Sequence, residues 1–376
     1  MVRFVVTEEN NSTVVEYLLW LVLLQQVLLC VSPLFILLAH FALVKFQLRN
    51  DLVPHDDPNR GWKIVAPTVA FATKHVIQLQ LGVLPLTMCR YTINKLSSTS
   101  PLNRLIPFEE FTKYHIAIGY TLVSLVLVAF VVFMTYYGTM CARGEQEFCD
   151  GFASEMMLTG YAIFILFMVV GASSYYRFDI KYQVFYNIHQ IVFLGFFVSI
   201  MHTIDNLHRS NGGRSQAYKW FSASLLLYIT DRIAMYTTAR YTIKVCGYQV
   251  INETQDTTDG IIVLKMRKPT MLHFDPGHYC RLRIMGLDRT WHPFSIASSP
   301  DSDILEFYIK INQKGSWTWK LLQLLLTRVG HEDDLVPIEV EIMGPYGSPL
   351  ATAGDHSHAL VVGSGTGKTS WRAYRS

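Results

Sequence analysis

The residues best placed to do chemistry are histidines set in apolar sequence. His189 and His202 stand thirteen residues apart in FYNIHQIVFLGFFVSIMHT, a stretch from Phe185 to Thr203 that is apolar enough to cross a bilayer. At about 1.5 Å per residue the two imidazoles are separated by roughly 20 Å, most of a hydrocarbon core. Ionisable groups at such depths are costly and usually mark a pathway or a ligand site. A neutral imidazole is an axial ligand for haem iron. Two stacked haems are therefore one reading, and a polar residue near each interface is the other. The same spacing turns an ideal helix by about 220° beyond whole turns, so the two rings do not share a face. A bend, a bulge or haems approached from different sides must make up the difference.

His115 opens another apolar run, in FTKYHIAIGY, at a depth that matches His189, and both helices rise from the same side. An imidazole from each could clamp one iron from opposite faces. His202 lacks so clear a partner, because fourteen residues beyond His115 comes Ala129. His75 precedes Cys89, where the descending second run ends, by fourteen residues. By helix rise that is roughly 21 Å, a depth similar to that of His202. His40 competes on the same argument, and His202 as the sole protein ligand is the third possibility.

The elements that must position these groups are long apolar runs. Six candidate spans cover residues 14–44, 64–88, 114–137, 155–176, 184–203 and 219–236, the last weakened by Asp231 and Arg232. Lysines and arginines are spread too evenly over the loops to set the orientation. The 376 residues are 51% hydrophobic and 16% charged, a membrane-protein balance averaged over two unlike halves. A net charge of +3 is too small to argue for nucleic acid. Six cysteines show no CxxC spacing, so neither a zinc site nor a redox pair is indicated. Cys141 and Cys149 share one short polar loop and could close it as a disulfide if it faces outward. The first apolar run is too long for a cleaved signal peptide and is expected to continue as a span.

From about Thr242 the pattern becomes one of strands. TIKVCGYQVI, GIIVLKM and HYCRLRI alternate or run short and β-branched between turn residues, and a small antiparallel barrel is the economical expectation. His292, Pro293, Phe294 and Ser295 put a rigid proline beside an imidazole, an aromatic ring and a hydroxyl. That set suits an isoalloxazine or ribityl chain, with an ordinary edge strand as the alternative. Lys310 and then Lys314-Gly315-Ser316-Trp317-Thr318 precede the apolar helix TWKLLQLLL, whose N–H groups offer a place for pyrophosphate. Ala359 to Val362 reads as a buried strand running into Gly363-Ser364-Gly365-Thr366-Gly367-Lys368-Thr369. Val362 stands where a P-loop needs its first glycine, so a dinucleotide-phosphate turn on Gly363, Gly365 and Gly367 fits better. Nine residues follow Gly367, too few for a nucleotide domain, and a truncated chain is the expectation.

Taken together these residues resemble the ferric reductase and NADPH oxidase superfamily of transmembrane flavocytochromes. The resemblance runs from about Ile64 onward. Its motifs are Leu84-Pro85, Cys89-Arg90, Asn103-Arg104, Pro107-Phe108, His115, Phe185-Tyr186 with His189 and His202, and Asp231-Arg232. They continue with His292-Pro293-Phe294-Ser295, Gly315 with Trp317-Thr318, Gly344-Pro345-Tyr346-Gly347, and Gly363 to Thr369. Membership implies a six-helix transmembrane haem-binding bundle over residues 1–238. An antiparallel β-barrel FAD-binding domain over 239–350 and the start of a truncated α/β NADPH-binding domain over 351–376 would follow. It also implies electrons passing from NADPH to FAD, through two b-type haems, to an acceptor across the membrane, with the flavin domain cytosolic. A ferric chelate is the expected acceptor, oxygen with superoxide formation the alternative, and an inactive haem- and flavin-binding remnant the alternative of another class. Two departures stand out. Ala129 occupies the region where the family carries a second histidine, and Lys368-Thr369-Ser370 replaces the usual continuation of the nucleotide turn, so NADPH binding by this chain is expected to be poor.

Overall fold

The computed structural model describes residues 33–97, 108–204, 218–252, 260–288, 290–329 and 338–347. Gly363, Gly365 and Gly367, the whole of 351–376, and Asn103 and Arg104 lie outside the described residues. The chain divides into two compact units. One takes the described residues of Met1–Met88 and Glu110–Tyr228, the other those of Cys89–Glu109 and Ile229–Ser376.

The first unit is helical. Its elements are α1 (described over 33–52) and α2 (Arg60–Leu86), and then, after α3 (Arg90–Ser97) of the second unit, α4 (Phe111–Ala142), α5 (Gln146–Gly151) and α6 (Glu155–Tyr175). α7 (Tyr182–His189), α8 (Val192–Ile204) and the first half of α9 (Tyr218–Thr238) complete it. Among the described residues four helices are long and apolar enough to cross a membrane: α2, α4, α6, and α7 with α8 as one span, Tyr182–His202. The expected sixth span exists as α9 but is not one of these four, as Asp231 and Arg232 foretold. The first is described only from residue 33.

Few side chains of α4, α6 and the α7–α8 span are buried, whereas half of the apolar window of α2 is, and close packing falls largely to small and hydroxyl residues. A Cβ on Gly82 would stand 2.6 Å from the carbonyl oxygen of Trp220, so only glycine lets α2 and α9 approach this closely. Gln80 donates to Thr121 Oγ1 at 2.7 Å across the α2–α4 seam. Cys141 and Cys149 form the expected disulfide, closing the loop between α4 and α6. Beside it Lys63 pairs with Asp57 at 2.9 Å and with Glu145 at 3.5 Å.

The helix is interrupted between His189 and His202. α7 ends at His189 and α8 begins at Val192, with Gln190 and Ile191 in a turn. There the ladder tightens to three-residue steps, Ile191 N–H to Ile188 O at 3.0 Å and Leu194 N–H to Ile191 O at 2.9 Å.

The second unit is built on a six-stranded sheet in the order β4-β3-β6-β1-β2-β5, with every pairing antiparallel. The strands are β1 (Arg240–Asn252), β2 (Gly260–Arg267), β3 (Tyr279–Ile284), β4 (His292–Ser295), β5 (Ile304–Lys310) and β6 (Glu339–Tyr346). Alternate residues such as Ile262, Leu264, Leu282, Ile284, Phe307 and Ile309 are fully buried, with α10 (Trp317–Val329) packing Leu321, Leu322 and Leu325 onto them. Each such side chain stabilises by about 1.5–3 kcal/mol. The expected barrel is not closed: among the described residues no ladder joins the edge strands β4 and β5. β4 has four residues, and Pro293 removes one of its donors. Two bonds just beyond it bridge the gap: Ala297 N–H to Glu306 O at 2.8 Å, and Glu306 N–H to Ser298 Oγ at 3.2 Å.

Candidate functional site

In the helical unit His115 of α4 and His189 of α7 come together, with ring centroids 6.1 Å apart. A metal between two imidazoles at bond lengths of about 2.0–2.1 Å, with roughly 1 Å from each nitrogen to its ring centre, puts the centroids roughly 6 Å apart. The pair therefore fits the spacing that one iron requires. The tautomer is also set. Thr87 donates its hydroxyl proton to Leu84 O at 2.6 Å, so its oxygen accepts from His115 Nδ1–H at 2.9 Å. Ser174 likewise donates to Val170 O at 2.8 Å and faces His189 Nδ1 at a longer 3.4 Å. With Nδ1 protonated, Nε2 carries the lone pair that a metal needs, the arrangement in which an outer partner orients a ligand.

The same device recurs at His202. Thr159 donates to Glu155 O and Met156 O at 2.9 and 3.0 Å, and accepts from His202 Nδ1–H at 2.8 Å. His202 lines a cavity of about 220 Å³ among α2, α4, α6 and α8, and Ala129 lines it too. His75 is not among the lining residues. Its Nδ1–H goes to Phe71 O at 2.7 Å, and its ring stacks on Phe41 of α1 at 4.7 Å. His40 has its ring 5.9 Å from that of Phe41. α2 turns His75 toward Phe41 of α1.

In the sheet unit the expected strand and helix start meet. The His292 ring stacks on Trp317 at 4.2 Å and 27°, and Phe294 lies 5.6 Å from the same indole at 26°. Thr290 donates to Asp288 Oδ2 at 2.6 Å and accepts from His292 Nε2–H at 2.8 Å, which fixes that imidazole. Ser295 sits opposite Tyr279 in the β3–β4 ladder, and Pro293 opposite Arg281. Gly315 has φ +86°, a left-handed turn that a side chain would strain, and Ser316 caps α10 by accepting from Trp319 N–H at 3.2 Å. Thr318 is buried, and its oxygen accepts from Asn312 N–H at 2.9 Å, so it holds the loop that Gly315 turns. Among the described residues the buried indole N–H of Trp317 meets no acceptor, an orphan donor suited to a polar group of a bound cofactor. Lys310 is exposed at the end of β5.

Asp231 and the Gly344-Pro345-Tyr346-Gly347 turn are legible as motifs of the resemblance, but their partners, far along the chain, are not. Asp231 is buried and accepts from Thr92 N–H and Thr92 Oγ1, both at 2.7 Å, which pins the start of α3. Asn94 of α3 donates to Pro345 O at 2.7 Å and accepts from Gly347 N–H at 3.3 Å, clasping the Gly344-Pro345-Tyr346-Gly347 turn. Tyr346 stacks on Tyr279 at 5.3 Å, and burial pushes its phenol up to about 12 against nearby arginines. Glu341 is buried between Arg240 and Arg283. Burial raises its pKa, but the hydrogen bonds and charges of the two guanidinium groups outweigh that and hold it low.

Residues 77–200 match the family described as the ferric reductase like transmembrane component, and residues 246–350 match an FAD-binding domain family. With the four apolar helices, this makes the chain part of an integral membrane protein. Among curated relatives, probable respiratory burst oxidase homolog protein I of Arabidopsis thaliana is 23% identical over 80% of this chain and 36% of its own length. Ferric reduction oxidase 7, chloroplastic, of the same plant is 25% identical over 79% of this chain and 39% of its own. A superoxide-generating NADPH oxidase heavy chain of Dictyostelium discoideum is 23% identical over 58% of this chain and 32% of its own. The chain thus spans about a third to two-fifths of the length of these relatives. Two adjoining domain families in this order, and relatives of both kinds, place the chain in the superfamily of ferric reductases and NADPH oxidases.

Proposed function

We propose that the chain carries electrons from NADPH through FAD and b-type haem to an acceptor on the far side of a membrane. The observation that supports this best is the pair His115 and His189, whose rings lie 6.1 Å apart with Nδ1 of each facing a hydroxyl. Such a pair could hold one haem, and His202, tied to Thr159, could hold a second. A bound haem supplies a one-electron carrier in a hydrocarbon layer through which a bare electron cannot pass. The chain's own part is to fix tautomer and depth. Thr87, Ser174 and Thr159 do the first, and the helix break after His189 sets the second.

Flavin is assigned to β4 and the start of α10. Phe294 and His292 offer faces for stacking, Ser295 a hydroxyl, Trp317 an indole N–H, and the turn at Gly315 a place for pyrophosphate with Lys310. The Cys141–Cys149 disulfide supports the orientation, since such bonds persist on the oxidising side. His115 lies toward the opposite end of α4, hence on the cytosolic side where NADPH is available. The plasma membrane or an endomembrane would suit.

A ferric chelate and oxygen are both acceptors consistent with this relay, and relatives bearing both kinds of name match similar shares of this chain. The purified chain should contain b-type haem and FAD. Reduction of a ferric chelate that superoxide dismutase does not inhibit assigns the reductase, and complete inhibition assigns the oxidase. A preparation that binds neither haem nor flavin removes the proposal.

A further inference from the structure

We propose that the haem held by His202 has one protein ligand only, and that the position at Ala129 is an open site for a small neutral diatomic ligand. This rests on the haem reading above. Thirteen residues separate His202 from His189 and fourteen separate Ala129 from His115, close to the same rise, and Ala129 lines the same cavity as His202. At the inner level α4 supplies an imidazole to match α7. At the outer level it supplies a methyl group, and among the described residues no second histidine lines the cavity.

The other candidate ligands are poorly placed. Met156 lies one helical turn before Thr159, on the face of α6 that already grips His202, and Met157 is its neighbour. Met134 stands five residues past Ala129, roughly 7.5 Å further along α4. His75 points to Phe41. Phe130, Phe133 and Phe164 line the cavity with Ala129, and Thr73, Lys74, Gln78, Tyr161 and Ser199 add polar groups to its wall; a neutral diatomic ligand is small enough to be held among the rings without a charge partner.

The test uses the full chain purified in detergent. Total haem is counted by the pyridine haemochrome method, and the dithionite-reduced protein is titrated with carbon monoxide. The inference expects two haems per chain, with half of the reduced Soret band shifting on carbon monoxide and half unchanged. Ala129→His should abolish the shift while keeping both haems, and His202→Ala should lose the responsive haem alone. Two haems with no carbon monoxide response in the wild type overturn the inference and leave the electron-transfer reading standing. Loss of the low-spin signal in Met134→Leu, Met156→Leu or Met157→Leu also overturns it, in favour of a sulfur ligand. One haem alone, unresponsive to the gas, means the cavity binds no iron and likewise overturns it. No haem at all removes the electron-transfer reading and the inference together.

Discussion

The two units orient their chemical groups by different means. In the helical unit each histidine of interest is steered by a hydroxyl that first satisfies its own helix, as Thr87 does with Leu84 O before receiving His115 Nδ1–H. In the sheet unit the hydroxyl that holds His292, Thr290, is satisfied by a carboxylate, Asp288, rather than by a helix carbonyl, and stacking on Trp317 and charge around Glu341 do the rest. The contrast follows from the solvent. A segment in lipid has no water to complete its hydrogen bonds, so a short hydroxyl serving two partners is cheap and reliable. In the sheet unit charged partners are at hand, so Glu341 is buried on β6 with an arginine from the strand on either side.

The contrast is sharpest if each unit is damaged separately. His189→Ala should remove about half of the b-type absorbance of a two-haem protein while leaving flavin content unchanged; full retention of both haems would break the assignment. Next in size is Glu341→Gln, which strands Arg240 and Arg283. It should cost about 3 kcal/mol, the low end for a buried pair because both arginines keep some solvent. Because the folded-state pKa of Glu341 is depressed, this contribution is fully present above the ordinary carboxylate range and is lost as pH falls through the folded value. Melting of the two proteins followed by tryptophan fluorescence should therefore differ at pH 7 and converge in acid. A gap that stays constant with pH would exclude the ion pair as its source.

Thr87→Val should weaken haem retention by about 10-fold, the lower bound for losing a partner that orients a metal ligand. Ser174→Ala should do less, because its contact is 3.4 Å against 2.9 Å. Equal effects in a haem-transfer assay would mean the hydroxyls do not steer the rings. Smallest is Ser316→Ala, which removes the cap of α10 and should lower stability by about 1 kcal/mol with haem spectra unaltered.

Much of this is legible in the sequence, and the exceptions share a cause. Spacing and depth along an axis are linear properties, so the matched levels of His115 and His189 can be read directly, whereas the phase mismatch with His202 leaves a bend, a bulge and separate approaches all open. The strand at His292 and the helix start at Trp317 are local signals, but their contact is not, since it joins two elements that each read alone. Azimuth is not legible: nothing in the linear pattern says that His75 faces Phe41 rather than the cavity. Thr87, Ser174 and Thr159 give no signal, because hydroxyl residues in membrane helices most often only bond their own carbonyls. Asp231 and Asn94 act on backbone groups 139 to 253 residues away, beyond any periodic signal. Strand lengths alone suggest a closed barrel, while the edge left by Pro293 depends on register, which no single strand reveals.

The turn at Gln190 and Ile191 has a consequence for how such chains can vary. Within an unbroken helix one added residue swings everything after it by about 100°, which would carry a ligand off its target. The interrupted ladder at Gln190 and Ile191 is where such a phase error is most easily absorbed, leaving a slide of about 1.5 Å along the axis. Insertions and deletions between His189 and His202 should therefore be tolerated at this joint and rejected inside α8, making it the place where the distance between the two imidazoles is free to be retuned.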